Sequence, residues 1–135
     1  MKYLKLFDNY SEFQPLWDKL HQISQNSNII EKYEEDYDKL MSRGELFEDY
    51  SVEIIKGEQS RCHQNCAIFI DGLDEDSKPY YEIATGWALL NNEWQQHSWI
   101  IDVNGIIIET TIDRDKYFGF ILNVYETVDF IDDNL

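Results

Sequence analysis

The chain has 135 residues, of which 43% are hydrophobic and 20 are aromatic (7 Phe, 4 Trp, 9 Tyr), with only 6 Gly and 2 Pro. That supply of large apolar side chains builds one globular domain over residues 1-135 and excludes a disordered or fibrous chain. Eleven Lys and Arg against 27 Asp and Glu leave a net charge of −16, which repels a phosphate backbone and argues against direct nucleic-acid binding.

No run reaches the roughly 20 apolar residues of a membrane-spanning helix. The start MKYLKLFDNY lacks the apolar stretch of a secretory signal. The expectation is a cytoplasmic protein without a membrane partner. Residues 1–7 alternate as a short edge strand. Tyr10-Ser11-Glu12-Phe13 then reads as a cap, and Phe13, Leu16, Trp17 and Leu20 recur at helical spacing, predicting a first helix over about 11–25. A second helix over about 29–43 follows from the stripe Ile29, Ile30, Tyr33, Tyr37, Leu40 and Met41, with Gly44 as its stop. Residues 1-50 are thus a helical N-terminal part, before a second part over 55-120.

The β-branched run VEIIK at 52–56 predicts a short strand. A third helix is predicted over about 61–71, with Ser60 as N-cap and Gly72 near its end. Beyond it the period changes from helical to alternating. YYEIATGWALL, EWQQHSWIID, GIIIETTI and FGFILNVYETV all read as strands. Helices first and strands last predict an α+β domain: N-terminal helices and a Cys-headed helix packed on a C-terminal antiparallel β-meander. The acidic clusters at 31–37, 45–49, 71–76 and 129–133 read as solvated faces and loops.

Cys62 and Cys66 are the only cysteines. On one helix their Cα atoms stand roughly 6 Å apart with parallel Cβ vectors, so two free thiols are expected. At the head of its helix Cys62 meets unpaired N–H groups and the positive end of the helix dipole, which favour a thiolate and offer an oxyanion site. Cys66, one turn further in, is expected to face the core. A thiolate needs a base on another element. His21 lies on the first helix and His63 diverges from its neighbour Cys62, whereas His97 sits in the middle of a predicted strand.

For a group that orients the imidazole, Asp102 has the wrong parity for His97, leaving Glu109 with Asp113 as its rival. The turn before Glu109 decides its face. A two-residue Asn104-Gly105 loop pairs residues whose numbers sum to 209 and turns Glu109 away from His97. A three-residue loop with a left-handed bulge at Gly105 makes the sum 208, setting Glu109 opposite Trp99 and diagonal to His97. A catalytic function therefore predicts the bulge. A zinc site can be drawn from Cys62, Cys66, His63 and His97, but the spacing is wrong for a paired knuckle.

The order Cys62 at a helix start, His97-Ser98-Trp99 on a strand and the acid-Thr pair Glu109-Thr110 resembles the papain-like and transglutaminase-like thiol enzymes. The His-Ser-Trp and Glu-Thr-Thr segments are similar to the His-x-Trp and Asp-x-Thr elements of the transglutaminase-like branch, with Glu109 where Asp is usual. The likeness covers about residues 55–120. It implies a core in which a Cys-headed helix packs on an antiparallel sheet carrying the His and the acid. Cys62, His97 and Glu109 would be the catalytic groups, with no metal or cofactor. Gln59 is the nearest residue by type for the oxyanion position, and Trp87 and Trp99 are candidate site walls.

The expected function is thiol-dependent acyl transfer on a peptide or carboxamide bond. Water as acceptor makes it a peptidase, amidase or deamidase, and an amine makes it a cross-linking enzyme. The partner would be a peptide, protein or amide substrate, and the acidic surface favours a cationic or amine-bearing one. The competing expectation is a small acidic binding or inhibitor protein that occludes a basic partner surface, including a catalytically dead relative of the thiol enzymes.

Overall fold

The computed structural model describes residues 12–135. The elements in chain order are α1 (Gln14–Ile23), β1 (Asn28–Ile29), α2 (Tyr37–Arg43), β2 (Glu45–Leu46), β3 (Ser51–Ile54), α3 (Cys62–Asp71), a 3₁₀ turn (Lys78–Tyr80), β4 (Tyr81–Leu90), β5 (Glu93–Asp102), β6 (Ile106–Glu109), β7 (Lys116–Ile121) and α4 (Val124–Asn134). The expected edge strand at 1–7, and the first helix's cap at Tyr10 and Ser11, lie outside the described residues. The described part is an α+β structure of four helices and a mostly antiparallel sheet of seven strands.

The alternating run of 81–102 forms the central hairpin. β4 and β5 pair along their whole length around a two-residue turn in which Asn91 and Asn92 both have positive φ, 51° and 64°. Asn tolerates that region, and a turn of this hand matches the strand twist. β5 and β6 pair with Ile100 opposite Ile108 and Ile101 opposite Ile107, so the numbers sum to 208. Gly105, at φ 77°, makes the bulge, and Asp102 braces it by accepting from the N–H groups of Asn104 and Ile106.

Three expectations are corrected. The sheet is not a simple meander: its order is β2-β7-β4-β5-β6-β3, so β7 crosses back to the free edge of β4, and β3 pairs with β6 in parallel. The second helix begins only at Tyr37. Residues 28–29 are drawn instead into parallel pairing with Glu93 and Trp94, Glu31 takes φ 55°, and the buried Glu34 carboxylate holds a turn by accepting from Trp87 Nε1 and Asp36 N–H, both at 2.8 Å. Tertiary pairing here overrides a helical stripe. The last predicted strand ends at Ile121. Asn123 and Glu126 then form a reciprocal capping box, each accepting the other's N–H at 2.8 Å, and start α4.

All four helices contribute to one core on one sheet face, where Leu16, Leu20, Leu40, Cys66 and Ile70 meet Trp87, Trp94, Ile100 and Phe118. The other face carries a smaller cluster of Trp99, Tyr117, Ile101 and Ile107, closed by Phe47 from the β2–β3 connection. Each fully buried large side chain contributes about 1.5–3 kcal/mol, so the first face supplies most of the stability.

Candidate active site

β4 takes the whole of one edge of β5. The other edge is divided: β1 pairs only with Glu93 and Trp94, β6 only with Ile100 and Ile101, and among the described residues no strand covers 95–99. α3 packs over this part of the sheet, its inner face seated by the buried Cys66, Ala67 and Ile70. Cys62, one turn before Cys66, is thereby carried to the open strand edge, half-buried and with a free thiol.

The approach to α3 is held from both sides. Gly57 N–H donates to Thr110 C=O at 2.8 Å, and the buried Asn65 carboxamide accepts from Glu58 N–H (3.0 Å) while donating to Glu58 C=O (2.8 Å). A Cβ on Gly57 would stand 2.4 Å from the Asn65 side chain, so this grip requires glycine. Ser60 is not the N-cap: it takes φ 62°, Arg61 occupies the cap position, and no side chain caps the helix. The first-turn N–H groups, that of Cys62 among them, are left without a side-chain acceptor.

His97 stands opposite Gly86 in the hairpin. The bulge at Gly105 brings Glu109 to the same face, and His97 Nε2 meets its two carboxylate oxygens at 2.8 and 3.0 Å. Both side chains are buried, at 2% and 0% exposure. Glu109 also accepts from Tyr117 O–H (2.8 Å), Thr111 N–H (3.0 Å) and Thr111 O–H (2.8 Å). With Nε2 engaged by Glu109, Nδ1 is left for Cys62, whose sulfur also receives the Ser98 N–H.

Burial raises the pKa of Cys62, but the hydrogen bond and charge of His97 and the Ser98 N–H outweigh it, so the thiol is held below its ordinary range. Burial lowers that of His97, and its hydrogen bonds to Cys62 and Glu109 and their charges reverse the sign, leaving it raised. For Glu109 burial raises, while His97, Tyr117 and Thr111 lower it further, to a net decrease. The opposed directions of Cys62 and His97 favour proton transfer from the thiol to the imidazole within a coupled pair braced by a carboxylate. Cys66 is the contrast: burial pushes its thiol well above the usual range.

A cleft of about 640 Å³ opens over Cys62 and His97, bordered by Lys56, Gln59, Gln95, Gln96, Thr111 and Arg114. A pocket of about 370 Å³ lies on the other flank of Cys62, with His63, Ile30 and Glu31. Gln59 borders the cleft, but the two tryptophans do not. Trp87 pairs with Gln96, one residue off the Gly86–His97 pair, so its ring falls on the opposite face in the main core. Trp99 shares the face of His97 but is fully buried, its ring 6.0 Å from the imidazole and 25° from parallel, a backing rather than a wall. Asp102 is spent on its turn, and Asp113 is exposed and, among the described residues, accepts only the N–H of Arg114.

Several contributors escaped the sequence reading. Gln95 lies two residues before His97 and so shares its face, with a carboxamide free of hydrogen bonds among the described residues; the offset of two was the available signal. Thr111 has the same relation to Glu109. Tyr117 lies in the run Tyr117-Phe118-Gly119, which reads equally as site wall or core, but its bond to Glu109 was not legible locally, because it reaches Glu109 from β7 across the small residues Ala84, Gly86 and Ala88 of β4. His63 Nδ1 lies 2.6 Å from Ser98 Oγ and pins the first turn of α3 to β5. Among the described residues no three His, Cys, Asp or Glu side chains are grouped to hold a metal ion, and no helix is long and apolar enough to cross a membrane. Comparison with protein-family models, curated proteins and solved structures finds no match to this chain.

Proposed function

We propose that this protein is a thiol-dependent acyl-transfer enzyme acting on a peptide or carboxamide bond, built on a papain/transglutaminase-like core. The alignment of Cys62, His97 and Glu109 carries this reading: a thiol of lowered pKa at a helix head meets an imidazole whose far nitrogen is held by a buried, fully donated carboxylate, beside an open cleft. In this mechanism the Cys62 thiolate attacks the carbonyl carbon, and the Cys62 N–H and the Gln95 carboxamide are placed to receive the oxyanion. His97 Nδ1–H protonates the departing amine as the C–N bond breaks, leaving a thioester and a neutral imidazole. Water or an amine then gives a proton to Nδ1 as it attacks, and the thiolate departs. Two free thiols suit the reducing cytoplasm.

The test is the alkylation rate of each cysteine by iodoacetamide against pH, read by mass spectrometry on the native protein. Cys62 is expected to react well below the roughly 8.5 pKa of a free thiol, with Cys66 inert, and His97→Ala is expected to remove the acid-side reactivity. A Cys62 that titrates as an ordinary thiol, or that ignores His97→Ala, overturns the reading.

A second reading, an acidic binding protein, draws on a separate cavity of about 390 Å³ between α2 and α4 that Glu35, Asp36, Glu126, Asp129 and Asp133 border. Under that reading charge reversals there abolish function, and Cys62→Ala is silent.

A further inference from the structure

The charge of the cleft runs opposite to that of the molecule. The chain has 27 Asp and Glu, yet none borders the cleft; its cationic side chains are Lys56 and Arg114, while any charge on His97 is offset by Cys62 and the buried Glu109. The Arg114 guanidinium is oriented by neutral oxygens alone: Nε donates to Ile112 C=O at 3.1 Å and Nη2 to Thr111 Oγ1 at 3.2 Å. Its Nη1 is buried without any hydrogen-bond partner. Among the described residues no carboxylate forms an ion pair with Arg114 or Lys56. A desolvated guanidinium nitrogen without an acceptor is unfavourable, and the planar fork of Arg matches a carboxylate with two parallel bonds.

We infer that Arg114, with Lys56, forms an anion subsite that receives a carboxylate of the acyl donor, so that the substrate is an acidic peptide or a carboxylate-bearing amide. The inference rests on the reading of Cys62 as the nucleophile. It assigns the substrate the sign opposite to the one that net charge suggests. Charges more than a Debye length away, roughly 8 Å at physiological ionic strength, are screened, whereas groups in contact within the cleft are not.

The experiment compares Cys62 alkylation by iodoacetyl-glycine and iodoacetyl-glutamate with that by their carboxamide counterparts, in the wild type and in Arg114→Gln. His97 itself favours an anionic reagent, so the informative quantity is the change in the acid-to-amide rate ratio between the two proteins. For at least one pair the ratio is expected to fall about tenfold in Arg114→Gln, the effect of one charge-assisted hydrogen bond, with Arg114→Lys intermediate. An unchanged ratio overturns the subsite. So does an equal slowing of acid and amide reagents, which would mean that Arg114 only braces Thr111 and Glu109. Slow, ordinary alkylation of Cys62 by every reagent would instead overturn the nucleophile reading and the inference with it. Should Arg114→Gln fail to fold, Lys56→Gln, at an exposed loop position, gives the same comparison with a smaller expected fall.

Discussion

Glu109 is the residue on which the site turns. A carboxylate with no exposure is tolerated only because His97, Tyr117 and both donors of Thr111 reach it. Glu109→Gln keeps the shape but removes the charge and sets an amide N–H₂ against donors. Activity in the proposed acyl transfer is expected to fall roughly 10²- to 10⁴-fold, and the alkylation profile of Cys62 to move to higher pH, because His97 loses both the hydrogen bond and the charge that raise its pKa, against which the direct effect of the Glu109 charge on Cys62, opposite in sign, is the smallest of its causes. The stability consequences have definite signs. Glu109, with a lowered pKa, contributes stability above the ordinary carboxylate value that is lost as pH falls through its folded value. His97, with a raised pKa, contributes below the ordinary imidazole value and loses that contribution as pH rises through its folded value. Urea midpoints across pH are expected to show the acid-side loss in the wild type and a flatter acid limb in Glu109→Gln.

At the scale of elements, the position of Cys62 at the cleft depends on how α3 begins. No side chain caps that helix, so its first turn is held by the Asn65 grip on Glu58 and by His63 on Ser98. Asn65→Ala removes two hydrogen bonds and leaves the Glu58 backbone groups to water. The expected loss is about 1–3 kcal/mol in urea unfolding, with faster amide exchange confined to residues 57–62 and a slower Cys62 alkylation. Unchanged exchange in that segment would mean that the loop is held by other contacts. α4 is anchored differently: Arg43 donates to both Glu126 oxygens at 2.8 Å and to Ile121 C=O at 2.6 Å. The Arg43 side chain first, with Lys39 beside it, holds the Glu126 carboxyl down at about 2, so this link between α2 and α4 persists in mild acid.

At the scale of the whole molecule, a net charge of −16 on 135 residues produces self-repulsion that opposes folding. The Glu109–His97 pair contributes little to it, being buried and paired. Monovalent salt is therefore expected to raise the melting temperature of the wild type, because screening at a Debye length of roughly 8 Å weakens repulsion between exposed carboxylates more than it weakens the buried Glu109–His97 pair. A melting temperature that falls with added salt would show that attractive surface pairs outweigh the repulsion. The same long-range field attracts cations to the outer surface, while the side chains that border the cleft around Cys62 include Lys56 and Arg114 and no carboxylate.

Local chemistry was enough for much of this architecture. The helix head at Cys62 and the long strands around His97 follow from periodicity and parity, properties of neighbouring residues, whereas turn geometry left two registers after His97 and only an assumed catalytic function chose the bulge at Gly105 that the structure has. The bulge in particular carried the argument that Glu109 reaches the face of His97, because a one-residue change of register turns a whole strand over. What only the tertiary structure decided was non-local. A helical stripe at 29–36 gave way to pairing with β5 and to a buried carboxylate on Trp87. Trp87 was assigned to the core by one step of parity. Tyr117 came to Glu109 from a strand that crosses back over the sheet. The composition of the cleft, cationic within an acidic chain, arises from residues 56 and 114 meeting in space. Periodicity reports which face a side chain takes, but which groups meet across that face is set by strand order, and strand order depends on contacts between residues far apart in the chain.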